Sequence, residues 1–142
     1  MSQDLVQSLT RGQEAILLTL SELQGITRSY SQAKPKLRIL REQILNYFGR
    51  QDQSLMDRLF AQNMEDREKI KLLEFLDHDI KAIKIKFLIF SEQYSGDIGD
   101  HGRPAFPKDF QEFTREMVAR FKIEEEYLFP LLQKLPVSEP QF

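Results

Sequence analysis

The sequence predicts an all-α protein that folds as an antiparallel up-down four-helix bundle. Three observations support this fold class. Four segments each carry an apolar stripe with spacings of three and four residues, which places those side chains on one face of a helix. The chain of 142 residues contains only 6 Gly and 6 Pro, mostly outside these segments. No run alternates apolar and polar residues as a half-buried strand would, so the helices are expected to bury their stripes against one another.

The first predicted helix runs from Ser2 to Gln24, and the second starts near Lys36, directly after Pro35. Pro35 suits the first turn of a helix because the N–H that proline lacks would have no partner there. The apolar stripe of the first helix is interrupted in its middle by Gln13. The second helix extends to about Phe60, and Gly49 lies between its two halves, where a bend is allowed. Its inward stripe comprises Leu37, Leu40, Ile44, Tyr47, Phe48, Leu55, Met56, Leu59 and Phe60.

The third predicted helix covers roughly Glu65 to Tyr94 and carries two apolar rows. One row is a continuous seam: Leu73, Leu76, Ile80, Ile83, Phe87, Phe90 and Tyr94. The other row, on the far side, is weaker: Phe75, Ala82, Ile85 and Ile89. Two apolar faces indicate either burial between neighbouring helices or an exposed contact surface, and burial is the interpretation that we favour here.

The fourth predicted helix starts near Pro107, and Pro130 is expected to kink its last turn because proline removes a helical hydrogen bond. A chain of this length forms one domain. We assign residues 1–135 to a single helical bundle and residues 136–142 to a flexible C-terminal tail.

Composition excludes several classes of function. There is no cysteine, so a disulfide scaffold, a thiolate metal site and a cysteine nucleophile are excluded. Two histidines leave little material for metal ligation, and a net charge of -2 gives no general attraction to nucleic acid. No motif of an enzyme, a cofactor site or a metal site is visible. Charged residues interrupt the first twenty positions, and no apolar stretch is long enough to span a membrane, so a cytoplasmic protein is expected.

One carboxylate occupies a position in an apolar stripe. Glu124 follows Phe121 in the stripe of the fourth helix, and a buried carboxylate requires a partner. Arg120 lies four residues earlier on the same side of the helix and can pair with it. Gln13 and Tyr47 could add hydrogen bonds. We interpret Gln13, Tyr47, Arg120 and Glu124 as a buried polar cluster within the bundle.

The two histidines are interpreted as surface residues. His78 lies between Asp77 and Asp79, a grouping of ligand types, but the helical phase of the neighbouring seam points its side chain away from the core. Ligands in a helical bundle have to project inward. His101 lies in the loop after the third helix and has no partner at ligand spacing, so no metal site is predicted.

Charge is unevenly distributed along the chain. Between residues 51 and 79 there are eight acidic and four basic residues, which gives a local net charge of -4. This region could meet a basic partner, and a solvated acidic face without a partner explains it equally well. A basic cluster at Lys34, Lys36, Arg38 and Arg41 lacks interleaved stacking aromatics, so a solvated helix start is a better interpretation than a nucleic-acid site.

Three stretches resemble the Rsd/AlgQ family, bacterial regulators that bind the primary sigma subunit of RNA polymerase. They are Ala15–Ile26 (AILLTLSELQGI), Ile44–Leu59 (ILNYFGRQDQSLMDRL) and Ala119–Leu128 (ARFKIEEEYL). The resemblance implies a helical bundle that holds region 4 of sigma and blocks its use by core polymerase. It therefore implies a non-enzymatic anti-sigma factor that has no direct contact with nucleic acid.

The resemblance also implies which residues contact the partner. Asn46 and Tyr47 match an acidic residue and a tyrosine of the family, whose acidic member contacts an arginine of sigma. In this chain Asn46 lacks that charge. Arg50, Gln53 and Asp57 extend the same outward stripe, so Asn46, Arg50, Gln53 and Asp57 are the predicted partner-binding residues.

A second resemblance is to the last helix of hemerythrin-like domains, which hold two irons with inward histidines. The similar residues are Glu124, Glu125 and the run Leu128–Pro130. The ligand positions that this resemblance implies are occupied here by Gln13, Tyr47, Gln51 and Arg120, and only His78 and Glu124 match the ligand types. The alternative hypothesis is therefore a hemerythrin-like bundle whose metal site is degenerate or lost.

Overall fold

The computed structural model describes residues 2–94 and 104–136, and every regular element in these ranges is helical. The elements are α1 (Ser2–Gln24), α2 (Tyr30–Gly49), α3 (Gln53–Gln62), α4 (Arg67–Gln93), α5 (Phe106–Ile123), a π-helical turn (Glu124–Leu128) and α6 (Phe129–Gln133). The all-α prediction is confirmed for these residues. His101 and the predicted tail beyond Pro136 lie outside the described residues.

The first helix has the bounds that its sequence predicts. α1 packs mainly against α2 and also touches α5 and α6. Polar contacts join α1 and α2 near both ends: Lys36 Nζ lies 3.3 Å from Glu22 Oε2, and Arg50 Nη1 donates to Ser8 Oγ at 2.7 Å. Between these contacts the two helices bury Leu9, Ile16, Leu20, Leu23, Leu37, Leu40 and Ile44.

The second helix begins at Tyr30, earlier than the start near Lys36 that its sequence predicts. The Ser29 side chain caps the helix by accepting a hydrogen bond from the Gln32 N–H at 3.3 Å. Tyr30 is buried, and its ring packs edge-on against Phe106 at a centroid distance of 5.6 Å. Burial of Tyr30 therefore stabilises a turn that places Pro35 inside the helix. Tertiary packing outweighs the local preference of proline for a first turn.

The predicted second helix is two helices. α2 ends at Gly49, and α3 starts at Gln53 after Asp52, whose side chain accepts from the Leu55 N–H at 2.9 Å. An aspartate at the N-cap position accepts a hydrogen bond from a backbone N–H that has no partner within the helix. This interaction favours the start of a new helix over a bend in a continuous one. α3 packs against α4.

α4 buries only one of its two apolar rows. The seam from Leu73 to Phe90 lies in the core, whereas Phe75, Ile85 and Ile89 are half exposed. The interpretation of this second row as buried is therefore wrong. No other element in the described part of the chain covers that side of α4.

The C-terminal segment departs from an α-helix before its proline. The Phe129 N–H donates to the Glu124 carbonyl, five residues back, and so closes a π-helical turn. Pro130 then lies in the first turn of α6, where its missing N–H costs little. The predicted kink thus takes the form of a widened turn on the N-terminal side of Pro130.

Aromatic side chains fill one end of the core, where α2 starts, α4 ends and α5 starts. Phe90 and Phe113 stack in parallel with centroids 4.6 Å apart, and Tyr94 contacts Phe106 edge-on at 5.0 Å. The Tyr94 hydroxyl donates to Asp109 Oδ2 at 2.5 Å. Within residues 2–94 and 104–136, no helix combines the length and the apolar character that crossing a membrane requires.

Candidate functional site

The core contains an ion pair between two residues of the C-terminal segment. Arg120 in α5 lies one turn before Glu124, and its Nε donates to Glu124 Oε2 at 2.8 Å. Arg120 is 2% exposed and Glu124 is 0% exposed. Charges so far from water persist only when they are paired and hydrogen-bonded.

The other carboxylate oxygen of Glu124 is bound by residues from α1 and α2. Gln13 Nε2 donates to Glu124 Oε1 at 3.1 Å and to Tyr47 Oη at 3.0 Å, and the Tyr47 hydroxyl donates to Glu124 Oε1. The structure thus brings together the four residues that the sequence assigned to a buried polar cluster. We call Gln13, Tyr47, Arg120 and Glu124, together with Asp79, the core polar network.

Asp79 is the member that sequence reasoning missed. Arg120 Nη1 donates to Asp79 Oδ2 at 2.9 Å and to the Leu76 carbonyl at 3.2 Å. The Asp79 side chain is one-third exposed, so the network reaches the surface of α4. A guanidinium has five N–H donors, and one glutamate cannot satisfy them all. The unsatisfied N–H donors of Arg120 could therefore have indicated a further acceptor in the sequence.

Burial changes the acid–base chemistry of Tyr47. Burial raises the pKa of the Tyr47 hydroxyl above its ordinary value of 10.0, and the negative charge of Glu124 raises that pKa further. The hydroxyl therefore keeps its proton over the whole neutral range. Tyr47 can donate a hydrogen bond to Glu124, but it cannot act as a base.

The approach of Tyr47 to α1 depends on Gly12. A Cβ atom at Gly12 would lie 2.7 Å from Cδ1 of the Tyr47 ring, closer than such atoms pack. The Tyr47 ring therefore packs directly against the backbone of α1 at Gly12. The absence of a side chain there lets Tyr47 reach Glu124.

A second, half-buried cation lies near the junction of α2 and α3. Lys84 Nζ donates to the Gln51 carbonyl at 3.3 Å and lies 5.9 Å from the centroid of the Phe48 ring. Burial lowers the pKa of the Lys84 amine, and the positive charge of Arg120 lowers it further.

The predicted partner-binding residues are all exposed, but they do not belong to one helix. Asn46 lies in α2, Arg50 in the connection, and Gln53 and Asp57 in α3. Gln53 Nε2 donates to Asp57 Oδ1 at 3.0 Å. Arg50 binds the Ser8 hydroxyl and carbonyl, so its guanidinium joins α1 to α2 as well as facing solvent.

The residues at the hemerythrin ligand positions do not fit a pair of irons. Both oxygens of Glu124 are bound within the network, and Arg120 brings a positive charge to its centre. His78 is exposed on α4, whereas Glu124 is fully buried. Among the described residues, no group of three or more His, Asp or Glu side chains is arranged to hold a metal ion.

Comparisons of the chain with protein-family models, with curated proteins and with solved structures found no match.

Proposed function

We propose that this protein is a non-enzymatic regulatory interaction protein that binds region 4 of the primary sigma subunit of RNA polymerase, as an anti-sigma factor does. The proposal rests on the resemblance of three stretches to the Rsd/AlgQ family. It also rests on an exposed polar surface at the junction of α2 and α3, which comprises Asn46, Arg50, Gln53 and Asp57. We call these four residues the junction face.

The charge around the junction face supports a basic partner. Most of the eight acidic residues between positions 51 and 79 are exposed, including Asp52, Asp57 and Glu74. Of the four bases in this stretch, Lys69 lies 3.8 Å from Asp66, and Arg58 Nη2 donates to the Pro136 carbonyl at 3.3 Å. Asp77 and Asp79 pair with Lys81 and Arg120 instead. The remaining six acidic residues are exposed and outnumber the four bases, so this surface would attract a basic helical domain.

We infer an antiparallel up-down arrangement for the four long helical segments. The support comes from pairs that join the end of one segment to the start of the next, such as Glu22 with Lys36. On the other side of the molecule, Lys86 lies 3.0 Å from Glu116, and Tyr94 binds Asp109 further along the same pair of helices. In this arrangement the interior stabilises the bundle and its outer surface contacts the partner.

Within the same proposal the protein acts in the cytoplasm, where RNA polymerase is found. It requires no cofactor and contacts no nucleic acid itself, because its effect comes from occupying sigma.

The test is a titration of the protein with sigma region 4 at low salt, with binding measured by calorimetry. Binding at micromolar concentration is expected. Asp57→Lys should weaken binding by about tenfold, because it reverses one charge on the junction face. Glu112→Lys is the matched control, since Glu112 is exposed on α5 and the same charge change there should alter affinity by less than about twofold.

Asn46→Asp tests the contact itself. It restores the acidic residue that the family places at this position, so affinity for sigma region 4 should rise about two- to fivefold. Absence of binding by the unmodified protein at micromolar concentration and low salt would falsify the proposal. Equal effects of Asp57→Lys and Glu112→Lys would remove the junction face from it.

A hemerythrin-like bundle whose metal site is degenerate or lost is the second candidate. It is favoured by one observation: residues at four of the implied ligand positions, Gln13, Tyr47, Arg120 and Glu124, meet in one network. Metal analysis of protein purified without chelators tests for a degenerate site that still binds iron. Near-stoichiometric iron would support a working metal protein and contradict the regulatory proposal.

A further inference from the structure

A groove of about 660 Å³ lies between α2 and α4, apart from both the core polar network and the junction face. Residues 34–42 of α2 form one wall, and residues 87–94 of α4 form the other. Arg41 spans the groove, since its Nε donates to Ser91 Oγ at 3.1 Å. The two helices therefore form a cleft that the Arg41–Ser91 contact bridges.

The floor of the groove is apolar. It consists of side chains that also belong to the core: Leu37, Leu40, Phe87 and Phe90. At the edge of the groove, Leu88 is 56% exposed. Covering such a surface with an apolar chain releases water, which makes binding favourable.

One wall of the groove is basic. Lys34, Arg38 and Arg41 follow one another on α2 at spacings of four and three residues, so they share a helix face. Glu42 and Glu92 also line the groove, which leaves an excess of one positive charge among these five residues. Arg38 is exposed and makes no ion pair or hydrogen bond with another described residue.

The size of the groove favours a small ligand over a docked helix. Small-molecule sites measure about 300–1,000 Å³, and this groove lies within that range. A helix is about 10 Å across, so three turns of one fill on the order of 1,200 Å³. A single alkyl chain fits the apolar floor, and an anionic head beside Arg38 and Arg41 completes the match of shape and charge.

We propose that the α2–α4 groove binds a small amphiphilic carboxylate of the free fatty-acid class. The alkyl chain lies on the floor formed by Leu37, Leu40, Phe87 and Phe90. The carboxylate is held at the basic wall, principally by Arg38, with Arg41 fixed in place by Ser91. None of the junction-face residues lines this groove, so the proposal does not rest on sigma binding.

The experiment is a calorimetric titration of the full chain with dodecanoate. The matched probe is dodecyltrimethylammonium, which has the same alkyl chain and a cationic head. Saturable binding of one dodecanoate per chain at micromolar concentration is expected, together with at least about tenfold weaker binding of the cationic probe.

Two pairs of variants locate the site. Arg38→Glu should weaken dodecanoate binding by about tenfold or more, whereas Arg115→Glu, the same change at an exposed arginine of α5, should alter it less than about twofold. Leu88→Glu should weaken binding similarly because it places a carboxylate at the edge of the groove. Its control is Ile85→Glu, since Ile85 is 58% exposed on the same helix but does not line the groove.

All four positions are exposed, so the variants should remain folded, as circular dichroism would verify. Absence of saturable dodecanoate binding by the unmodified protein overturns the proposal, and so does equal affinity for the two probes. An equal loss in Leu88→Glu and Ile85→Glu also overturns it, because the ligand would then cover the exposed apolar row of α4 instead of the groove.

Discussion

At the scale of single residues, the core polar network shows what a sequence can reveal about a buried charge. Glu124 interrupts an apolar stripe, and that interruption alone was sufficient to predict a partner at Arg120. Asp79 could not be predicted in the same way, because it belongs to the polar run Asp77–Asp79 beside the seam of α4 and does not interrupt an apolar stripe. Its role depends on how α4 and α5 face each other, which the spacing within one helix does not determine.

Glu124→Ala should destabilise the protein by about 3–5 kcal/mol, because it leaves a buried guanidinium and two further donors without their shared acceptor. Arg120 would keep Asp79 and the Leu76 carbonyl, so complete loss of folding is not expected. The measurement is urea unfolding followed by circular dichroism. Asp79→Ala is the comparison and should cost less, since Asp79 is partly exposed. An unfolding midpoint unchanged by Glu124→Ala would contradict the burial of this pair.

At the scale of the elements, helix boundaries were predicted correctly where the local sequence alone determines them. α1 has the predicted bounds, whereas α2 begins several residues early because Tyr30 packs against Phe106. The break after Gly49 was expected only as a bend, although Asp52 offered a capping signal. A contact between helices distant in the sequence therefore accounts for the early start of α2. An overlooked N-cap accounts for the break after Gly49.

Substitution of two helical glycines should have opposite effects. Gly12→Ala should destabilise the protein by about 1–3 kcal/mol, because the new Cβ would press on the buried Tyr47 ring and displace it from Glu124. Gly49→Ala meets no atom within 4 Å and should be neutral or stabilising by up to about 1 kcal/mol, since alanine favours helix. Thermal unfolding of both variants is the measurement. Equal stabilisation by the two substitutions would show that α1 and α2 do not pack closely at Gly12.

At the scale of the whole molecule, the sequence predicted the helical class and the inward seams but not which surfaces stay uncovered. Burial was favoured over an exposed contact surface for the second row of α4, yet Phe75, Ile85 and Ile89 are half exposed. Periodicity identifies an apolar face, but the number of neighbouring elements decides whether that face is covered. The same limit applies to the groove between α2 and α4, whose basic wall looked like an ordinary solvated helix start.

Global stability should fall in alkaline solution because of Tyr47. Its pKa is raised in the folded protein, so above pH 10.0 the unfolded chain loses this proton while the folded chain keeps it. The unfolded state then binds fewer protons, and the free energy of unfolding falls by up to about 1.4 kcal/mol per pH unit. Lys84 contributes with the opposite sign, since its lowered pKa makes stability rise with pH as the unfolded chain approaches 10.5.

Comparison with Tyr47→Phe isolates the tyrosine, because Lys84 is present in both proteins. The variant should be less stable at neutral pH, since Glu124 loses a hydrogen bond, and its stability should decline less steeply above pH 10. Denaturant unfolding between pH 7 and pH 11 provides the measurement. Parallel curves for the two proteins would mean that the Tyr47 hydroxyl is accessible to water.

The π-helical turn at Glu124–Leu128 has a consequence for how this chain can vary. Each residue added to or removed from a helix rotates everything beyond it by about 100°. Glu125 and Glu126 each contribute one residue to the length of this turn, although their side chains are exposed. The direction in which Leu131 and Leu132 face α1 is therefore set by the number of residues in this turn. Insertions and deletions there are constrained, whereas substitutions at the exposed Glu125 and Glu126 are not.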